Sequence, residues 1–285
     1  MPHWENPPQR VVSLVPSVTE SLFALGFGGS VVGISDYCTR PAAELAAIVR
    51  VGGPQFPNLE VLAELEPDLV IAGQEETDKH AVEALAGLNI PVWVVFPRSV
   101  DDGMFFLRQL LGLFHTDKVI AQINGLQVGL DYARAAADSM PQIPYFCPIW
   151  IGVHKGMDWW MTFNQDTYMA DVLSLFGGHN VFAERERLYP LEADLGLGEA
   201  EPPGERDTRY PRITAGEVIA AQPELILLPD EPYKFSPADR AVLEHALADT
   251  PAVRNGKIRL IDGSLISWYG VRLAAALRTL PDLFQ

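Results

Sequence analysis

Residues 11–35 read VVSLVPSVTESLFALGFGGSVVGIS, and this stretch sets the fold class. Val11 to Val15 is a short apolar run rich in β-branched residues, the composition of a strand buried on both faces. Ser17 and Glu20 have the spacing of a capping box, which predicts a helix over SVTESLFAL that Gly26 stops. Val31 to Ser35 is the next strand. Gly26, Gly28 and Gly29 invite a phosphate-loop reading, but they follow a helix, whereas a dinucleotide fingerprint follows a strand and opens a helix. They are read as a helix end and a turn.

The alternation continues outward. Asn58 is placed to cap LEVLAELE, Pro67-Asp68 breaks that helix, and Leu69 to Ala72 is a strand. A helix over Lys79 to Leu88, the strand Val92 to Phe96 and a helix over Val100 to Phe114 complete a first α/β lobe, residues 1–115. Asp117 to Ser139 runs without proline at helical spacing and predicts one linker helix about 30 Å long, within residues 116–140. A second α/β lobe, residues 141–285, repeats the pattern. Its expected elements are the strand Tyr145 to Ile151, helices from Asp166 to Phe176 and Ala215 to Gln222, the strand Leu225 to Leu228, a helix over Pro237 to Ala248, the strand Lys257 to Ile261 and a helix from Gly270 to Leu280. Ala183 to Arg212 lacks periodicity and reads as a long surface or site-lining excursion. The expectation is therefore two Rossmann-like lobes with parallel sheets, joined by one long helix. An internal echo supports related lobes: Asn58 to Ile71 and Thr214 to Leu227 each read helix, proline breaker, buried strand.

The 285 residues hold 37 Asp and Glu against 21 Lys and Arg, a formal charge of −16, with no basic run. Nucleic acid and anionic lipid are excluded as expected partners. Cys38 and Cys147 form no metal-binding motif and read as small buried hydrophobes, with one disulfide between them left open. The first ten residues lack the basic start and apolar core of a secretory signal, and no run reaches membrane-span length. As written, the chain carries no export address, which leaves a cytoplasmic location or a removed leader.

His3, His80, His115, His154, His179 and His245 show no ligand spacing, so no metal site is expected; only His154, beside aromatic residues, reads as a candidate ligand contact. No G-x-S-x-G elbow is present, and Glu75-Glu76 and Asp101-Asp102 fall where helices begin and favour macrodipole roles. Aromatic residues in loops stand out instead. Tyr37 follows the second strand, Phe56 lies among glycines and prolines, Trp150, Trp159, Trp160 and Phe163 follow the first strand of the second lobe, and Tyr210, Trp268 and Tyr269 lie in later connections. Rings at strand C-terminal ends suit a large, flat, partly apolar ligand.

RVVSLVPSVTESLFALGFGGSVVGISDYCTRP, VGGPQFPNLEVLAELEPDLVIAG, LNIPVWVVFPRS, the long middle helix and FGGHNVF together resemble the cobalamin and ferric-siderophore binding proteins of ATP-driven importers. The resemblance spans nearly the whole chain. It implies a non-catalytic receptor that holds a metal chelate between two lobes, with a corrinoid favoured and a ferric siderophore or haem as alternatives. Position by position it implies ligand contacts at Tyr37, Phe56, Gln74, Glu75, Trp160, Tyr210, Trp268 and Arg272. It implies docking to an ABC permease through Glu60 and through Glu217, the latter one residue past the expected register and also part of a Thr214-x-x-Glu217 capping box. No intrinsic cofactor and a monomer are expected. The competing expectation is a cytoplasmic enzyme or carrier in corrinoid or metal-chelate metabolism on the same fold.

Overall fold

The computed structural model describes residues 6–284; His3 lies outside them. The chain divides into two compact units. One comprises the chain up to Gly129 with Trp268–Ala275, and the other comprises Leu130–Ser267 with the segment from Ala276 onward.

The first unit is built on a five-stranded sheet in the order β3-β2-β1-β4-β5, parallel throughout. The strands are β1 (Val11–Ser13), β2 (Val31–Ile34), β3 (Val49–Arg50), β4 (Leu69–Gly73) and β5 (Val92–Val95). Every residue of β1 and β4 is buried, as expected for central strands covered on both faces. Val12, Leu14, Val51, Leu62, Val70, Ala72 and Leu85 form one of its core clusters.

The first helix corrects the sequence reading at its start. It spans Pro16–Ala24, with Val15 at the cap position and no side-chain cap, so Ser17 and Glu20 form no capping box. Pro16 opens the helix because its fixed φ already suits the first turn and its missing N–H has no partner to lose. Gly26 ends it at φ +83°, a conformation that residues with a side chain rarely adopt. Asn58 caps Leu59–Glu64 as read, accepting from the N–H groups of Glu60 and Val61.

The second unit holds a parallel sheet ordered β12-β11-β6-β9 and a separate antiparallel sheet ordered β10-β8-β7. The strands are β6 (Ile143–Phe146), β7 (Trp150–His154), β8 (Met157–Met161), β9 (Gly178–Asn180), β10 (Arg212–Thr214), β11 (Leu225–Pro229) and β12 (Ile258–Ile261). The expected single strand Tyr145 to Ile151 is thus two strands in different sheets, interrupted at Cys147-Pro148-Ile149. β7 and β8 form a hairpin whose turn residues, Lys155 (φ +51°) and Gly156 (φ +80°), both lie in the left-handed region that tight hairpins need. The sequence echo has a structural counterpart: Pro67 precedes β4, which pairs with β1, and Pro223 precedes β11, which pairs with β6.

The long helix spans Ile120–Ala137, 18 residues or about 27 Å, and the division between the units falls within it. Of the C-terminal stretch, Trp268–Ala275 groups with the first unit.

Candidate functional site

In a doubly wound sheet, connections from a central strand leave in opposite directions, and the crevice this opens at the strand C-terminal ends is where ligands bind. In the first unit that point lies between β1 and β4. In the second it lies between β6 and β11, because β9 flanks β6 on one side and β11 and β12 lie on the other.

Along the first edge, Tyr37 follows β2 and Phe56 follows β3, exposed to 65% and 69%. These are large rings left in solvent at the ligand-binding end of a sheet. Their loops are tied together, since the Asp36 N–H donates to the Gly52 carbonyl at 2.9 Å. Arg50 fixes the turn that carries Tyr37 by donating to the carbonyls of Ser35 (2.8 Å) and Cys38 (2.7 Å). Beneath it, the Cys38 Sγ lies 3.0 Å from Thr19 Oγ1 and 3.2 Å from Ser35 Oγ, and burial pushes the thiol pKa up. Cys38 and Cys147 are both free and buried, so each serves packing rather than redox chemistry.

After β4, Gln74 and Glu75 are exposed, and Glu76 folds back onto the strand end. A Cβ placed on Gly73 would lie 1.8 Å from Glu76 Oε2, so the carboxyl occupies the space that a side chain at 73 would fill. Burial, with a smaller contribution from Glu75, pushes the Glu76 pKa up to about 7.

Trp268 and Arg272 take part in packing within the same unit. Trp268 is buried, and the Arg272 guanidinium lies 5.5 Å from its ring centroid. Arg272 Nε donates to Glu20 Oε2 at 2.9 Å, and a second contact joins the guanidinium to Glu20 Oε1. The pair holds Arg272 to the first helix, and it uses the carboxylate that the sequence assigned to a capping box.

In the second unit Trp160 lies inside the core, edge-on to Phe146, not on a loop. The exposed ring at the second switch point is Trp150, 45% accessible, which meets Tyr233 edge-on at 5.8 Å. Trp150 comes just after β6 and Tyr233 just after β11. Tyr233 escaped the sequence reading; its signal is a tyrosine placed directly after the buried run LILLP and the short turn Asp-Glu-Pro. Tyr210 is half-buried beneath the Arg209 guanidinium at 5.2 Å. The His154 Nε2 lies 3.2 Å from Glu192 Oε1 without forming a hydrogen bond. Among the described residues no group of three His, Cys, Asp or Glu could hold a metal ion, and no helix is long and apolar enough to cross a membrane.

A family model described as periplasmic binding protein matches residues 11–265. The chain belongs to that family. Among its relatives, the vitamin B12-binding protein of Pectobacterium atrosepticum is 25% identical over 222 residues, 78% of this chain and 71% of the relative. That of Vibrio cholerae is 27% identical over 184 residues, 65% of this chain and 64% of the relative. Among solved structures, the periplasmic vitamin B12 binding protein BtuF of Vibrio cholerae superposes with a TM-score of 0.75 at 22% identity, covering 98% of this chain and 97% of that one. The periplasmic heme-binding protein RhuT from Roseiflexus sp. RS-1 does so with 0.73 at 22% identity, covering 97% of each chain.

The two glutamates that the resemblance implies as docking points differ in their surroundings. Glu60 is exposed in the first turn of Leu59–Glu64. Glu217 completes the capping box with Thr214 and lies 3.2 Å from Arg185 Nε, so its carboxylate is already held. A cavity of about 690 Å³ adjoins it, bounded in part by Glu184, Arg185, Leu188 and Asp194. Replacing Thr214 with alanine is expected to lower stability by about 1 kcal/mol, read as a shift of the urea midpoint, because the helix loses its N-terminal acceptor.

Proposed function

We propose that this chain is the non-catalytic solute receptor of an ABC-type importer and that its ligand is a large planar metal chelate, with a corrinoid favoured over haem or a ferric siderophore. The observation that carries the reading is exposed aromatic surface at the ligand-binding end of each sheet: Tyr37 and Phe56 in the first unit, and Trp150, backed by the half-buried Tyr233, in the second. Flat rings match the apolar faces of a macrocycle, and rings left in water gain most from being covered. Gln74, exposed after β4, supplies an amide that can pair with an amide fringe. The relatives named as vitamin B12-binding proteins favour the corrinoid, and the acidic residues Glu75 and Glu76 on the first edge disfavour a ligand with a carboxylate fringe there. Glu60, exposed on a helix end, is the docking group for a permease arginine in this reading.

The test is to titrate cobalamin, haem and a ferric siderophore against the protein while following tryptophan quenching. Cobalamin is expected to bind tightest, and Tyr37→Ala or Trp150→Ala is expected to weaken it about tenfold or more, the consequence of losing ~1.4 kcal/mol or more of ring contact. Absence of a response to all three ligands would refute the receptor reading; tighter binding of haem or siderophore would refute the corrinoid.

A further inference from the structure

The excursion from Ala183 to Arg212, which opens β10, carries five arginines, at 185, 187, 206, 209 and 212. Four are matched to carboxylates. Arg185 and Arg212 both pair with Asp194, Arg206 lies 3.9 Å from Glu201, and Arg209 pairs with Asp207 at 2.5 Å. Arg187 is not matched. Its guanidinium lies 4.9 Å from the Tyr189 ring, which Arg206 (4.2 Å) and Arg212 (5.7 Å) also face. The nearest carboxylates, Asp194 and Asp207, are committed to other guanidiniums.

The Nε of Arg187 is buried without an acceptor, and the side chain makes no hydrogen bond or ion pair among the described residues. Its stem is fixed: the Arg187 N–H donates to the Thr208 carbonyl at 2.8 Å, and the Tyr189 hydroxyl donates to the Asp207 carbonyl at 2.7 Å. Asp194 and Asp207 lie near enough to favour its charge, yet neither accepts a hydrogen bond from it, and a half-buried guanidinium without an acceptor is costly. Burial and the neighbouring Arg212 lower its pKa from the ordinary arginine value, and Tyr189, Asp194 and Asp207 offset only part of that.

We infer that Arg187 is an oxyanion-binding residue, its terminal nitrogens taking two oxygens of a phosphate or carboxylate group on a small molecule. The planar fork matches either anion with two parallel hydrogen bonds. The backbone bond joins Arg187 to Thr208, which lies two residues before Tyr210 in the chain. This site goes beyond the corrinoid reading and does not require it.

The experiment titrates inorganic phosphate and, separately, acetate against the full chain at fixed ionic strength held with chloride. Phosphate is followed by ³¹P line broadening and acetate by the broadening of its methyl proton signal. At least one anion is expected to bind saturably, with Arg187→Gln weakening that binding fivefold or more and Arg240→Gln, in the helix Pro237–Ala246, leaving it unchanged. Which of the two responds identifies the group read. Failure of both anions to bind, or equal binding by Arg187→Gln, would overturn the site. Should the glutamine variant not fold, Arg187→Lys decides: it keeps the charge and loses the fork, so weakened binding supports the site and unchanged binding refutes it. Cobalamin binding in wild type, measured separately, keeps this outcome distinct from the receptor reading.

Discussion

Asp194→Ala is expected to destabilise the second unit by about 3–5 kcal/mol, the range for removing one partner from a buried charge network. The side chain is sealed from solvent and bonds four groups at once. Oδ1 accepts from the Leu188 N–H at 2.8 Å and lies 3.1 Å from Arg185, while Oδ2 accepts from both the N–H and the Nε of Arg212 at 2.8 Å. Alanine would leave the buried Arg212 without its counter-ion and two backbone donors without acceptors. For a unit of this size the loss corresponds to a fall in Tm of roughly 6–20 °C. Asp194→Asn retains the shape and one acceptor, so its cost is expected to be smaller, about 2 kcal/mol. Calorimetry with limited proteolysis checks both: the alanine variant should also become cleavable between residues 183 and 212. An alanine variant melting within a degree or two of wild type would mean that this aspartate does not pin the excursion.

The reach of the interactions decides what could be read from sequence. The strand-helix alternation is written in local patterns, as are the caps at Asn58 and Thr214, whose partners lie two or three residues on. The exposure of Tyr37 and Phe56 was legible for the same reason: each follows a recognisable strand, and a loop ring at that end has nothing local to cover it. Trp160 was misplaced because two adjacent tryptophans in a loop-like stretch hide a strand. Successive strand residues face opposite sides, which sends Trp160 into the core and lays Trp159 across Gly152, where an added Cβ would sit 2.3 Å from the indole. The hairpin signal was present in Lys155-Gly156, but Pro148 and Gly152 broke the apolar run that would have marked its first strand. Arg272 and Glu20 meet across 252 residues, and Asp194 gathers partners from both ends of the excursion. No spacing rule reports such pairs, so a charged residue in a late loop reads as a ligand contact until its partner is seen.

Glu76→Gln is expected to stabilise the protein by about 2 kcal/mol at pH 8 and by nothing measurable at pH 4. The sign follows from proton linkage. In the folded chain burial raises the carboxyl pKa to about 7, whereas the unfolded chain releases the same proton near the ordinary value of 4.5. Below about pH 4.5 both states hold the proton and the group contributes no difference. Between there and pH 7 the unfolded state gives it up first, so stability falls as pH rises; above 7 the full cost of a buried charge is present. A rise from 4.5 to about 7 corresponds to ~3.4 kcal/mol at most, reduced to about 2 because the side chain keeps some contact with solvent. Glutamine keeps the length and planar head but does not ionise, so the difference between variant and wild type isolates this carboxyl from every other titrating group. Urea unfolding at pH 4, 6 and 8 measures it. A difference that stays constant with pH, or a glutamine variant weaker at pH 8, would mean that Glu76 is solvated. The same charging places a second negative group beside Glu75 at the β1–β4 switch point, so cobalamin affinity should change little between pH 6 and 8 while that of an anionic haem should fall across the interval.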